Sequence, residues 1–158
     1  MQVQILCIGR IKDRWIADGI AEFEKRLRPY GTVTITELAE VRIPDTARPA
    51  EEAMVKEKEG RLLQAAIRPG FTPIALDPRG KPVSSEDLAA KLQAATLSGT
   101  GLCFIIGGPL GLSPGILSVC REKLSFSALT FTHTMCRLIL IEQLYRACKI
   151  LAGEPYHK

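Results

Sequence analysis

Apolar residues alternate with polar ones and then run together across Gln2–Ile8, the pattern of a strand buried on at least one face. Behind Asp13, a possible cap, Ile16, Ile20, Phe23 and Leu27 recur at helical spacing, and Pro29 to Gly31 ends that helix. Residues 32–38 are rich in β-branched side chains and predict a second strand, and residues 44–49 read as a loop. A helix over 50–67 follows, with Glu52 and Lys56, and Glu57 and Arg61, placed for ion pairs; its thin apolar face predicts a peripheral position. Residues 71–76 predict a third strand, and Asp77 to Pro82 a turn-rich loop. Ser84 and Asp87 form a capping box ahead of Leu88, Leu92 and Ala95. The continuous apolar run 101–106 is what a parallel strand covered on both faces needs, so it is placed at the sheet centre. Ser113-Pro114 starts a helix predicted to reach about residue 123, a fifth strand is expected over 125–130, and a last helix over 134–151.

Five alternations of strand and helix predict an α/β fold, a mostly parallel sheet with helices on both faces, and no linker divides residues 1–158. On the last helix, Leu138, Leu140, Ile141, Leu144, Tyr145, Cys148 and Leu151 fill an arc of roughly 180°, wider than the ~100° stripe that covers one small core. Burial within the chain and a second copy, making a homodimer, explain this equally well.

Composition narrows the class. Hydrophobic residues are 46% and charged residues 24%, an ordinary globular balance. Lys and Arg number 21 against 17 Asp and Glu, a net charge of +4 that is too small for indiscriminate nucleic-acid coating but leaves room for a basic patch. The surplus lies at the two ends of the chain, with Arg10, Lys12 and Arg14 clustered at the start of the first helix. No apolar run approaches the roughly 20 residues that cross a bilayer, and the start lacks the features of a secretion signal. The 5 cysteines show no C-x-x-C spacing; reduced thiols, no metal site and a cytoplasmic location are expected.

The most informative segment runs from Gly107 and Gly108 through Pro109, Leu110, Gly111 and Leu112 to the Ser113-Pro114 cap. It joins a buried strand to a helix, where open α/β sheets bind ligands beyond the carboxyl ends of their strands. A tight structural turn is the alternative. No Gly-Lys-Ser/Thr closes it and G-x-G-x-x-G is absent, which disfavours nucleoside triphosphates and NAD. With Leu76-Asp77 and the stretch Phe126, Ser127, Ala128, Leu129, Thr130, Phe131 at two other strand ends, the loops suit an apolar or nucleoside ligand held by backbone groups.

That glycine loop, the segment Leu124 to Phe131 with His133, the ending Glu142-Gln143-Leu144-Tyr145-Arg146-Ala147, and Pro155-Tyr156-His157 together resemble the ribosomal RNA large subunit methyltransferase H family of SPOUT methyltransferases. Gly9-Arg10 and Lys56-Glu57-Lys58-Glu59-Gly60 extend the resemblance along the whole chain. It implies a trefoil-knotted fold, a homodimer, and methylation by S-adenosyl-L-methionine of N3 of a pseudouridine in large-subunit rRNA within the ribosome. Leu76, Gly107, Gly108 and Phe126 to Phe131 would hold the cofactor. Thr132 stands where the family often has Pro.

Removing the N3 proton needs a base or a cation near the methyl group. His133, beside the cofactor loop, and His157 are the only histidines. Arg146 could contact phosphate or an anionic ring, or simply pair with Glu142, and Tyr156 could stack on a base or pack its ring. Arg146, Tyr156 and His157 are expected to complete the RNA side of the site in the dimer. Trp15 is expected to pack at the core or its edge. Methylation of another RNA such as tRNA, a non-catalytic ribosome-associated factor and a small-molecule-binding α/β domain are the alternatives.

Overall fold

A computed structural model describes residues 1–156, so His157, expected at the RNA side of the site, lies outside the described residues. The elements run β1 (Gln2–Ile8), α1 (Arg14–Leu27), β2 (Thr32–Leu38), α2 (Pro49–Ala66), β3 (Phe71–Pro82), α3 (Ser85–Leu97), β4 (Gly101–Ile106), α4 (Pro114–Val119), β5 (Glu122–Ser125) and α5 (His133–Leu151). All strand pairs are parallel, in the order β2-β1-β4-β3-β5, which puts β4 at the centre as its unbroken apolar run predicts.

The period of two along each strand divides the core into two layers. Val3, Ile5 and Cys7 of β1, with Leu102, Phe104 and Ile106 of β4, face α1, α3 and α5. Leu6, Ile8, Cys103 and Ile105 face the opposite way, against Leu63 of α2 and Leu112 and Ile116 around α4. Gln4 is buried on that second face, where its amide donates to the Ala66 carbonyl at 2.8 Å and accepts from Arg68 N at 3.2 Å, so its burial leaves neither end unpaired. The thin apolar face of α2 suffices because the helix covers only one sheet face.

Two caps form as their spacing predicts. Ser84 Oγ accepts from Asp87 N at 3.0 Å while Ser84 N donates to Asp87 at 3.2 Å, and Ser113 Oγ accepts from Ile116 N at 3.3 Å. Asp13 precedes α1 as expected, but its side chain makes no capping bond.

Four expectations are corrected. First, α4 stops at Val119 and the fifth strand is Glu122–Ser125. The segment expected as a strand is a loop: Ser125 Oγ donates to the Ser127 carbonyl at 2.8 Å and Ser127 Oγ accepts from Leu129 N at 3.0 Å, local bonds that replace a strand ladder. Second, the turn-rich stretch after Leu76 belongs to β3. Pairing with β5 breaks between Leu76 and Lys81 and resumes at Lys81 and Pro82, because Asp77 accepts from Arg79 N at 2.9 Å and folds the intervening residues. Third, Trp15 is 62% exposed, outside the core. Fourth, the predicted α2 end moves back, with Ile67 extended.

Within the irregular stretch, β3 approaches β5 closely. A Cβ on Gly80 would stand 2.7 Å from the backbone of Lys123 and Leu124, so only glycine lets β3 lie this near β5.

Candidate functional site

The carboxyl ends of β1, β3, β4 and β5 open into a cleft of about 830 Å³. That volume is within the range of small-molecule sites, and its position is the one expected for an open parallel sheet. Its walls include Leu76, Ile106, Gly107, Gly108, Leu112, Leu124, Phe126, Ser127, Leu129, Thr130, Phe131 and His133. Of the residues the sequence assigns to the cofactor, only Ala128 stays out of the wall; it is exposed at the outside of the loop.

The glycine loop is built without spare room. A Cβ on Gly107 would stand 2.8 Å from Gly111 C and 2.9 Å from Gly111 O, and Gly111 N donates to the Gly108 carbonyl at 2.9 Å to close the turn. Gly111 takes a φ of 83°, a left-handed conformation that favours glycine. Behind the loop, Glu59 of α2 is buried at 3% exposure, accepts from Val41 N at 3.0 Å, and has its carboxyl pushed above the usual range by burial. A Cβ on Gly108 would come within 3.3 Å of Glu59 Oε2.

Thr132, at the position where the resembled family often has Pro, caps α5. Its φ of −62° lies where proline's ring would set it, and its Oγ1 accepts from Met135 N at 3.2 Å. The backbone path is thus the one a proline would impose, and the hydroxyl adds a bond. Thr132→Ala is expected to cost about 1 kcal/mol and lower the melting temperature by ~2–4 °C in calorimetry. Thr132→Pro loses the same cap but restricts the unfolded chain, so it should lose less; an equal or larger drop would contradict this account.

His133 opens α5 and reaches the cleft. Burial, then the nearby Arg137 cation, hold its imidazole below the usual range, while Glu40 pulls the other way. His133 is therefore neutral at neutral pH and able to accept a proton. Arg10, Lys12, Asp13 and Glu40 stand around the same opening. The Asp77 carboxyl is occupied by the Arg79 guanidinium at 2.9 and 3.0 Å, which holds it below the usual range.

Arg146 and Tyr156 are not in this cleft. Thirteen residues along α5 separate Arg146 from His133, about 20 Å at 1.5 Å per residue. Arg146 donates to Glu142 at 2.8 Å and lies 4.8 Å from the Tyr156 ring centre, whose hydroxyl donates to Glu142 at 3.2 Å. The Tyr156 ring also meets Tyr145 edge-on, with centroids 5.0 Å apart. Burial, then Glu142, raise the phenol above its usual range. The structure thus gathers Glu142, Arg146 and Tyr156 into a second cluster, and within one chain it does not join them to His133.

Sequence reasoning missed Glu40 and Arg137. Glu40 follows β2 and could have been found by the same strand-end rule that picked out Asp77. Arg137 stands four, seven and eleven residues before Ile141, Leu144 and Cys148, so a cation on the buried stripe of α5 was the available signal. Among the described residues no helix is long and apolar enough to cross a membrane, and no cluster of three or more His, Cys, Asp or Glu is placed to hold a metal. All 5 cysteines are free thiols.

A family model described as "Predicted SPOUT methyltransferase" matches residues 1–157. A protein of Methanocorpusculum labreanum is 60% identical over the whole of both chains. The "Ribosomal RNA large subunit methyltransferase H" of Halothermothrix orenii is 50% identical, and that of Bacillus pumilus 42%, each over 100% of both chains. Among solved structures, the "Probable Methyltransferase from Bordetella pertussis Tohama I" shares the fold at a TM-score of 0.59 and 15% identity, covering 93% of this chain and 94% of its own.

Proposed function

The chain belongs to the SPOUT methyltransferase family, and on that premise we propose that it methylates N3 of a pseudouridine in large-subunit rRNA, using S-adenosyl-L-methionine and acting on the assembled ribosome in the cytoplasm. The observation that carries this reading is the convergence of the glycine loop, Leu76 and the 126–131 loop on one cleft with His133 at its edge. We read residues 1–158 as one domain with the trefoil-knotted path that the family implies.

The cleft fits the cofactor by its size, its apolar floor of Leu76, Ile106, Leu112 and Leu124, and its backbone-lined loops. Leu76, Gly107, Gly108 and the stretch Phe126 to Phe131 hold it, with Ala128 contributing backbone course rather than wall. When bound, S-adenosyl-L-methionine supplies a methyl group on positively charged sulfur, ready for transfer to a nitrogen nucleophile. His133, neutral at working pH, accepts the N3 proton. Arg10 and Lys12 at the opening favour RNA phosphate.

The remaining groups come from a second protomer. One chain keeps Arg146 about 20 Å from His133, so a site using both is composite between two copies. Partly exposed Leu138, packed against Gly19 of α1, and the exposed Trp15 one turn before Gly19 provide apolar surface for such a homodimer. Arg146 would then stabilise the deprotonated ring, with Tyr156 stacking on a base.

The test is to incubate the protein with methyl-labelled cofactor and, separately, intact ribosomes, free large subunits and tRNA. Label in ribosomal RNA of intact ribosomes alone is expected. Label only in tRNA would move the substrate to another RNA, and the absence of cofactor binding by calorimetry would leave a non-catalytic ribosome-associated factor.

A further inference from the structure

We propose that Arg137 is a positioning residue for methyl transfer: its buried guanidinium locks the turn after β1 and the end of β2 onto the first turns of α5, and so sets where His133 stands in the cleft. The proposal rests on His133 accepting the N3 proton. Arg137 is 0% exposed. One terminal nitrogen donates to the Ile8 carbonyl at 2.5 Å and the Gly9 carbonyl at 3.0 Å, and the other donates to Glu37 Oε1 at 2.9 Å. The same Glu37 oxygen accepts from Ile11 N at 3.1 Å, so one cation and one carboxylate hold the Ile8 to Ile11 turn from both sides.

That turn is part of the cleft wall. It carries Arg10 and leads into Lys12, and the site of a Cβ on Gly9 is 3.6 Å from His133 Nε2 and 3.3 Å from Glu40 Oε2. Arg137 Nε, by contrast, is buried with no partner. A buried cation with an orphaned N–H is poor value for stability, since apolar packing of the same volume serves a core as well or better. What an apolar side chain cannot do is hold two backbone carbonyls and a carboxylate in one fixed fork.

The charge acts alongside the geometry. His133 is faced by Arg137 and Cys136 from its own helix, by Glu40 beyond β2, by Arg10, Lys12 and Asp13 across the opening, and by Asp77 of β3. Arg137 and burial lower its affinity for a proton, and Glu40 raises it. Removing the cation therefore raises the pH at which His133 becomes neutral, and the acid limb of activity moves up with it.

Arg137→Met alone would strand Glu37, so the variant to test is Arg137→Met with Glu37→Gln, which keeps an acceptor for Ile11. Arg137→Lys is its companion: it keeps the charge but not the planar fork. Each is compared with wild type by thermal melting, cofactor calorimetry, the pH profile of kcat on ribosomes, and NMR titration of the His133 ring, assigned through His133→Gln. The folded double variant should bind cofactor within about threefold of wild type and lose kcat about 100-fold. Its His133 titration and acid limb should move up. Arg137→Lys should lose kcat with the acid limb in place. Unchanged kcat and an unmoved His133 titration in the folded double variant would overturn the proposal, as would a loss of kcat matched by loss of cofactor affinity with no movement of the titration. If wild type labels no ribosomal RNA, it is the functional reading that fails; the ring titration, which needs no turnover, then still reads Arg137's hold on His133.

Discussion

Gly107→Ala is expected to raise the dissociation constant for S-adenosyl-L-methionine by about 100-fold, equivalent to about 2.7 kcal/mol, in calorimetry. The added methyl would stand 2.8 Å from a backbone carbon and 2.9 Å from a backbone oxygen of Gly111, neither of which is the free end of a flexible side chain. Relief requires the Gly108 to Gly111 bridge to open, and that bridge shapes the loop meeting the ligand. Overpacking of this kind costs ~1–3 kcal/mol, here concentrated in the cleft wall. Gly108→Ala meets Ile8 Cγ2 at 3.1 Å and Glu59 Oε2 at 3.3 Å, both side-chain atoms that can yield by tenths of an ångström. Its effect should be several-fold smaller. Equal affinities for wild type and Gly107→Ala would remove the glycine loop from the cofactor site.

His133→Ala and Arg146→Ala should each lower kcat on ribosomes by ~10²–10⁴, the usual range for loss of a proton-transferring or charge-stabilising group. They differ in what remains. Arg146→Ala lies outside the cleft and should bind cofactor normally, and Arg146→Lys should restore part of kcat if charge is what the ring needs. Mixing the two alanine variants separates a composite site from a site within one chain. After subunit exchange, half of the dimers are mixed, and each mixed dimer has one site with both residues intact. About a quarter of wild-type turnover should therefore return. No recovery after verified exchange would place both residues in the same protomer's site, against the roughly 20 Å that one helix puts between them.

The surface around these residues gives the modest net charge of +4 a structural meaning. Arg10 and Lys12 stand at the cleft opening, while Arg26, Arg146 and Lys149 are engaged with Glu22, Glu142 and Glu154. Among the described residues, Arg10 and Lys12 are the only cations that line the cleft. Such a surface suits recognition of a preformed RNA shape over general attraction to phosphate, and it predicts a shallow dependence of ribosome binding on salt.

Much of this arrangement was legible from local pattern. Alternation at Gln2–Ile8 and the unbroken run in β4 announced strands, their parity separated the two faces of the core, and Ser84 and Ser113 announced helix starts, because each of these depends on residues within a turn or two. The loops that line the cleft were legible too, since they fall at strand ends in a βα chain. Residues 125–130 were mistaken for a strand because Phe126 and Thr130 are β-favouring types; the local bonds of Ser125 and Ser127 curl the segment into a loop instead. Arg137 could not be understood locally at all. Its partner carbonyl, Ile8, lies 129 positions away in the chain, and only the packing of α5 against β1 decides whether a cation there meets water or a cage of acceptors. Tertiary structure likewise decided that His133 reaches the cleft while Arg146 does not, because a rigid helix fixes the distance between two residues that the sequence places in one motif-bearing segment.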